Sequence, residues 1–162
     1  MVDVELSLAR LLNDKVVIGL KGKNREEVIK ELTKELVACD KIQHEEKLVE
    51  EIFKRENLAS TGIGFGIAIP HIRCGFVKEP HLIAGISHQG VDFKSIDGRP
   101  VHLVFLLIAP KNHSDYNIEI LSRLASVLQN KGTREKLANA ESVDSFVNTL
   151  KEAEENPINH KS

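Results

Sequence analysis

Residues 103–109, with the sequence LVFLLIA, form the longest uninterrupted apolar run of the chain and limit the folds that it can adopt. The run is far shorter than the roughly 20 residues that a helix needs to cross a bilayer. Continuous apolar character without alternation is typical of a strand that is buried on both faces. We therefore predict a central strand over residues 102–109 and no direct membrane insertion.

Segments with strand and helix character alternate along the rest of the chain. Residues 16–20 and 82–87 are typical of strands, and residues 67–69 form a short one that ends at Pro70. The spacing of apolar residues predicts helices over 6–12, 24–39, 44–57, 115–129, 133–139 and 142–154, with Gly132 as a stop signal after the fourth. This order predicts a single α/β domain with helices packed on a central sheet.

Composition and charge argue against several functional classes. The formal net charge is -2, aromatic residues make up 4% of the chain and there is no Trp, so no nucleic-acid partner is expected. Asp3 and Glu5 do not suit the basic start of a signal peptide. The isolated Cys39 and Cys74 suit a reduced, intracellular setting. We therefore expect a cytoplasmic protein.

The densest functional signal is the segment 55–71, RENLASTGIGFGIAIPH. Its alternate glycines allow close approach to another group and can direct several backbone N–H groups at an anion. A dinucleotide-binding fingerprint needs different spacing between a strand and a helix, and a Walker loop needs Lys and Ser or Thr at its end. Neither condition is met. What remains is a glycine loop that delivers His71 at the end of a short strand.

His71 is suited to carry a phosphoryl group. Pro70 fixes its own φ and restrains the preceding residue, so the histidine starts from a stiff base. A neutral imidazole is a good nucleophile near pH 7, and its attack on a phosphoryl group gives a phosphohistidine. Donors to the phosphoryl oxygens are available nearby in the sequence, namely Arg55, Ser60, Thr61 and the amides of the glycine loop, including Gly62.

Each of these residues also has a purely structural interpretation, and only their combination favours phosphoryl chemistry. His71 could be a surface histidine, Arg55 and Glu56 exposed helix residues, and the following Ser-Thr pair a turn. A Cys74–His71 nucleophile pair would leave the glycine loop unexplained, so Cys74 is interpreted as a small structural residue. No metal-ligand spacing is present, and neither a metal nor a cofactor is expected.

The motif R-E-x-x-x-S-T-G-I-G-x-G-I-A-I-P-H resembles the active segment of the fructose/mannitol-type enzyme IIA domains of the bacterial phosphoenolpyruvate-dependent sugar phosphotransferase system (PTS). It is most similar to the nitrogen-regulatory branch. The resemblance extends to residues 91–110, VDFKSIDGRPVHLVFLLIAP, and the helix after them. It spans about residues 6–152, which leaves polar termini at 1–5 and 153–162. It implies a mixed sheet of about five strands flanked by helices on both faces.

The resemblance also implies roles for individual residues. His71 would accept the phosphoryl group on Nε2 from a histidine phosphocarrier protein, with Arg55 holding the group and Thr61 close to it. The family commonly has a second histidine where this chain has Asn117. An Asn amide can donate a hydrogen bond to a phosphoryl oxygen but cannot carry a positive charge. His113, which precedes it in the sequence, is the other candidate for this role.

Two functions remain open at this stage. In the first, the chain is a phosphotransferase that relays the phosphoryl group to a IIB component or uses it as a regulatory signal. In the second, it is a purely regulatory, nitrogen-type module whose phosphorylation state controls a protein partner without sugar transfer. Phosphorylation adds about -1.5 to -2 charges, enough to alter docking. An interaction domain that has lost phosphorylation is disfavoured by the intact Arg55, Thr61 and His71.

Overall fold

A computed structural model describes residues 7–156, without the side chain of Ser114. The predicted polar terminus 1–5 lies outside the described residues, as does the end of the chain from 157. The helices are α1 (Leu8–Leu12), α2 (Arg25–Asp40), α3 (Glu45–Leu58), α4 (Ser114–Leu128), α5 (Lys131–Ala138) and α6 (Val143–Glu155). The strands are β1 (Val16–Ile18), β2 (Gly62–Gly64), β3 (Ile67–Ala68), β4 (His71–Cys74), β5 (His81–Val91) and β6 (Val101–Pro110).

The described strands form one mixed, six-stranded sheet with β6 at its centre. The order is β1-β5-β6-β3-β2, with β4 also paired to β6. The β5–β6 pair is antiparallel, whereas β3 and β4 both run parallel to β6 along the same edge. Pro70 separates them because it has no N–H to donate to a ladder. The six strands therefore occupy five positions across the sheet, in agreement with the prediction of about five.

Strand β6 is covered on both faces, which explains why its sequence does not alternate. Helices α1, α4, α5 and α6 pack on one face, and α2 and α3 on the other. Successive residues of β6 enter opposite clusters: Leu103, Phe105, Leu107 and Ala109 in the first, and Val104, Leu106 and Ile108 in the second. Each fully buried Val, Leu, Ile or Phe side chain of this strand contributes about 1.5–3 kcal/mol. The prediction of helices on both faces is confirmed.

Several element boundaries differ from the sequence prediction. Helix α4 ends at Leu128, and Gly132 lies inside α5 instead of stopping α4. A new helix starts there because the side chain of Asn130 accepts a 2.9 Å hydrogen bond from Thr133 N, which satisfies a free amide of the first turn. Helix α6 continues to Glu155, so it enters the predicted polar terminus.

The glycine segment, predicted as a loop, contains regular secondary structure. It contains β2, which pairs with β3 as an antiparallel hairpin. A further strand, β4, follows Pro70, so His71 begins a strand instead of ending one. The sequences of β2 and β4 are too short to show an alternating apolar pattern, and both strands form through pairing, β2 with β3 and β4 with β6. No helix within residues 7–156 is long and apolar enough to span a membrane.

Candidate functional site

The candidate site is an open cleft of about 620 Å³ beside the carboxyl end of β6. Its walls come from the end of α3, the start of β4, the residue after β6 and the start of α4. Three of the residues singled out in the sequence meet here: Arg55, His71 and Asn117. The other lining residues are Glu51, Lys54, Leu58, Ile72, Arg73, Lys111 and Ile118.

Main-chain hydrogen bonds on both sides fix the position of His71. It pairs with Leu107 in the parallel β4–β6 ladder. Immediately before it, the carbonyl of Pro70 accepts a hydrogen bond from Leu107 N at 3.0 Å, and Ile69 N donates to Thr61 O at 3.1 Å. The backbone of this histidine is therefore anchored to the central strand and to the β2 side of the sheet.

The geometry of the imidazole selects one tautomer. Nδ1 of His71 lies 2.7 Å from the carbonyl oxygen of Ile69. A carbonyl can only accept, so Nδ1 carries the proton and Nε2 keeps its lone pair. Burial is the largest effect and lowers the pKa of His71. The hydrogen bond to Ile69 O raises it in part, the charge of Arg55 lowers it and the charge of Glu56 raises it, with a net shift downwards. The ring is therefore neutral near pH 7, with Nε2 as its nucleophilic atom.

Cationic side chains dominate the cleft. Lys54, Arg55, Arg73 and Lys111 line it together with a single carboxylate, that of Glu51. Nη1 of Arg55 donates a 2.9 Å hydrogen bond to Ala59 O, which holds the guanidinium at the end of α3. Such a concave, positively charged surface raises the local concentration of an anionic group.

Asn117 and His113 have different surroundings. The side-chain Oδ1 of Asn117 is buried and has no hydrogen-bond partner among the described residues. Asn117 lines the cleft, and the NH2 group is the end of its amide that can donate to a phosphoryl oxygen. His113 is exposed at the N-cap of α4, where its ring lies 5.5 Å from that of Tyr116, and it does not line the cleft.

The polar side chains at the start of the glycine segment face away from the cleft. Thr61 is buried, its hydroxyl donates to the carboxylate of Glu56, and its N–H donates to Glu56 Oε2 at 3.2 Å. Glu56 is itself only 3% exposed and lies 3.7 Å from Nη1 of Arg25. The hydroxyl of Ser60 donates to Phe93 O and accepts from Gly62 N at 3.0 Å. Because Thr61 O accepts the hydrogen bond from Ile69 N, these residues support the backbone that precedes His71.

The glycines serve a tight hairpin. Gly64, Phe65 and Gly66 have φ values of +95°, +58° and +78°, so the turn uses the left-handed region that favours glycine. The amide of Phe65 donates to Asp97 Oδ2 at 3.0 Å. A Cβ on Gly62 would lie 3.1 Å from Ser95 Cα and closer still to its hydroxyl. The amides of Gly62 and Phe65 thus have partners within the protein, in place of the expected anion.

Sequence reasoning missed Glu56, Arg73 and Lys111. Glu56 continues the buried face of α3 after Leu48 and Ile52, so helical spacing could have indicated its burial. Arg73 and Lys111 have no such local signal, because the β4–β6 pairing brings them to the cleft. Among residues 7–156, no group of three or more His, Cys, Asp or Glu side chains could hold a metal ion.

The fold and this cleft define an α/β protein that presents a neutral histidine in a cationic site. The sequence matches the family described as phosphoenolpyruvate-dependent sugar phosphotransferase system, EIIA 2, over residues 10–153. The chain belongs to this family, whose IIA components are phosphotransfer proteins. The resemblance noted in the sequence is therefore confirmed.

The chain is 37% identical over 135 residues to the PTS system fructose-specific EIIABC component of Bacillus subtilis (strain 168). That alignment covers 83% of this chain and 21% of the relative, so the chain spans about a fifth of its length. The crystal structure of nitrogen regulatory protein IIA-Ntr from Neisseria meningitidis is 30% identical, with a TM-score of 0.82 over 88% of this chain and 98% of that one.

The fold also matches enzyme IIAMTL in its complex with phosphorylated enzyme IIBMTL from Escherichia coli. The TM-score is 0.72 at 24% identity, over 86% of this chain and 95% of that one. This likeness establishes the shared fold. Proteins with sugar-specific and with nitrogen-regulatory names thus both occur among the relatives and structural neighbours.

Proposed function

We propose that this chain relays a phosphoryl group within the phosphotransferase system and carries it on Nε2 of His71. The observation that carries this proposal is the hydrogen bond from Nδ1 to the carbonyl of Ile69, which leaves Nε2 unprotonated in a cationic cleft. The donor is the phosphohistidine of a histidine phosphocarrier protein. The enzymatic role is that of a phosphotransferase that acts between proteins.

The transfer step follows from this arrangement. The Nε2 lone pair forms a bond to phosphorus as the P–N bond of the donor breaks, and the electron pair of that bond returns to the donor imidazole. The proton on Nδ1 stays hydrogen-bonded to Ile69 O throughout. Charge on the equatorial oxygens is stabilised by Arg55, Arg73 and Lys111, because such transfers depend mainly on positioning and electrostatics.

Asn117 supplies a neutral donor to the phosphoryl oxygens in this proposal. Asn117 is half-buried in the cleft and its Oδ1 has no hydrogen-bond partner among the described residues, so reorientation of the amide towards a phosphoryl oxygen breaks no hydrogen bond of that atom. Thr61, Ser60 and Gly62 act indirectly. Thr61 O accepts from Ile69 N and Ser60 accepts from Gly62 N, so these residues support the backbone that precedes His71. His113 has no role in this mechanism.

The acceptor in the next step is a IIB component. The cleft is flanked by two exposed apolar side chains, Leu58 at 85% and Ile118 at 65% exposure, which a docking protein can cover. The Escherichia coli IIA–IIB complex is a precedent for such a partner within the same fold. A purely regulatory role without onward transfer is not favoured by any contact in the cleft.

The test is phosphorylation of the full chain by phosphoenolpyruvate, enzyme I and the histidine phosphocarrier protein. We expect one acid-labile phosphate, attached to Nε2 in the nitrogen NMR spectrum of the ring and absent from His71→Gln. His113→Gln is the matched control and should be labelled at the wild-type rate. Equal labelling of His71→Gln, or attachment to Nδ1, would contradict the proposal.

A second assay adds candidate IIB components to the phosphorylated chain. We expect loss of label from His71 and its appearance on the IIB protein. The Leu58→Asp variant should slow this step, because it places a charge in the docking surface and leaves the imidazole untouched. Label that stays on His71 with every IIB component would favour the regulatory role.

A further inference from the structure

A second cavity lies at the other end of the central strand. Its volume is about 640 Å³, and it shares no lining residue with the His71 cleft. It is open to solvent, and its sides come from the end of β5, the start of β6, the hairpin tip and α5. Leu103 lines this cavity, whereas Leu107 pairs with His71, so the two sites are about 13 Å apart at 3.3 Å per strand residue.

The charges around this second cavity are mainly positive, although the chain as a whole has a net charge of -2. Arg99, Lys131 and Arg134 line it with Glu135 as the single carboxylate. Glu135 lies 3.9 Å from Lys131, and both side chains are more than half exposed, so solvent screens this pair. The carboxylate therefore does little to offset the two guanidinium groups.

Two of the lining side chains are held in place before any ligand binds. Nη1 of Arg134 donates to the carbonyls of Leu128 and Gln129, each at 2.9 Å, and its guanidinium lies 4.5 Å from the ring centroid of Phe65. These contacts tie a cation to both the end of α4 and the tip of the hairpin. A ligand that binds there has little side-chain freedom to remove from this residue.

His102 is the second fixed group. Its Nδ1 donates to Ser87 O at 2.8 Å, so Nε2 carries no proton in the neutral ring. Gly90 leaves the space for this ring, since a Cβ at that position would lie 3.0 Å from Cε1 of His102. The imidazole thus forms a fixed side of this site, and the charges that attract an anion are those of Arg99, Lys131 and Arg134.

We propose that this cavity binds a small organic anion that bears two or more negative charges as phosphate or carboxylate groups. The volume lies within the 300–1,000 Å³ typical of small-molecule sites. The guanidinium groups of Arg134, which is held in place, and of the exposed Arg99 suit the geometry of phosphate and carboxylate oxygens. The concave shape and the net negative charge of the chain suit a compact ligand better than a nucleic acid, which needs an extended basic surface.

The test is a titration of the isotope-labelled full chain with pyrophosphate and, separately, with citrate, at constant ionic strength. We expect saturable amide shifts at His88, His102 and Leu103, which sodium chloride alone does not produce. The double variant Arg99→Gln/Lys131→Gln should bind at least about tenfold more weakly, a loss of about 1.4 kcal/mol. Both side chains are exposed, so the fold should persist.

The control double variant Lys23→Gln/Lys151→Gln removes the same charge from exposed positions outside both sites and should bind like wild type. Shifts confined to the His71 cleft, no saturation with either anion, or equal weakening in the two double variants would each overturn the proposal. The double variant of the second cavity should still accept phosphate on His71. Failure of this proposal is therefore distinguishable from failure of the relay.

Discussion

Replacement of Glu56 tests how much its buried contacts with Thr61 and Arg25 stabilise the fold. In Glu56→Ala the amide and hydroxyl of Thr61 lose their acceptor. Arg25, which is only 8% exposed, loses its buried partner and keeps only Glu26, at 3.7 Å and half exposed. Removal of one member of a buried ion pair costs about 3–5 kcal/mol. We therefore expect the free energy of unfolding to fall by this amount, and Tm by at least about 6 °C.

Glu56→Gln separates charge from hydrogen bonding. The amide oxygen can still accept from Thr61, so the loss should be smaller, at about 1–3 kcal/mol. Because the carboxylate favours the protonated imidazole, its removal should also lower the pKa of His71 further. A histidine NMR titration measures this second effect, which a purely structural role of Glu56 would not produce.

Urea unfolding at pH 7 provides the measurement, with Glu50→Ala as the matched control on the same helix. Glu50 lies 3.5 Å from Lys54 on an exposed surface, a pair worth at most about 0.5 kcal/mol. A loss below about 1 kcal/mol in Glu56→Ala, or equal losses in Glu56→Ala and Glu50→Ala, would refute the reasoning. The buried pair would then contribute no more than a solvated one.

Three further predictions follow from the contacts described above. Asn117→Leu removes an unpartnered buried oxygen, so the free energy of unfolding should stay unchanged or rise by about 1 kcal/mol. The same variant loses a donor to the phosphoryl group, so phosphorylation should slow about 100-fold, and a fall in stability together with the rate would contradict this. Since the pKa of His71 is lowered, the phosphorylation rate should stay constant as the pH falls to about 6.5, the ordinary pKa of histidine, and should drop only below that pH. A rate that begins to fall above pH 7 would contradict a ring that is neutral at pH 7. Gly62→Ala should cost about 1–3 kcal/mol against Ser95, whereas Gly75→Ala, with no atom within 4 Å of the added Cβ, should be neutral or stabilising in thermal unfolding.

The low pKa of His71 also has a consequence for stability. Below about pH 6.5 the unfolded chain binds the proton more readily than the folded one, so this group's contribution to stability is lost as the pH falls. Above that value the ring is neutral in both states and contributes no pH dependence. Between pH 6.5 and 5 the free energy of unfolding should therefore fall less in His71→Gln than in wild type. Urea unfolding at each pH measures this difference.

Much of the fold follows from local patterns in the sequence. The apolar run of β6 predicted a strand buried on both faces, and periodic apolar residues predicted α2 and α3 to within one or two residues of their ends. These elements carry their signal in their own composition. The hairpin and β4 do not, because their conformation depends on pairing with β6, which is far away in the sequence.

The same distinction applies to the candidate site. His71 was identified from the residues before it, and the family resemblance implied the position of Asn117. The inward orientation of Ser60 and Thr61 could not be read from the sequence, because the face that a short strand presents depends on its register. Arg73 and Lys111 reach the cleft only through the β4–β6 pairing, since β4 and β6 are separate in the sequence.

The acceptor that orients His71 is a main-chain carbonyl, and this has an evolutionary consequence. A substitution at Ile69 changes the side chain but cannot delete its carbonyl oxygen, so mutational drift leaves the tautomer of His71 intact. The exposed side chains at Leu58 and Ile118 are free to diverge around it. A scaffold of this kind can be redirected towards a new docking partner, by selection or by engineering, without a change in the orientation of the His71 ring.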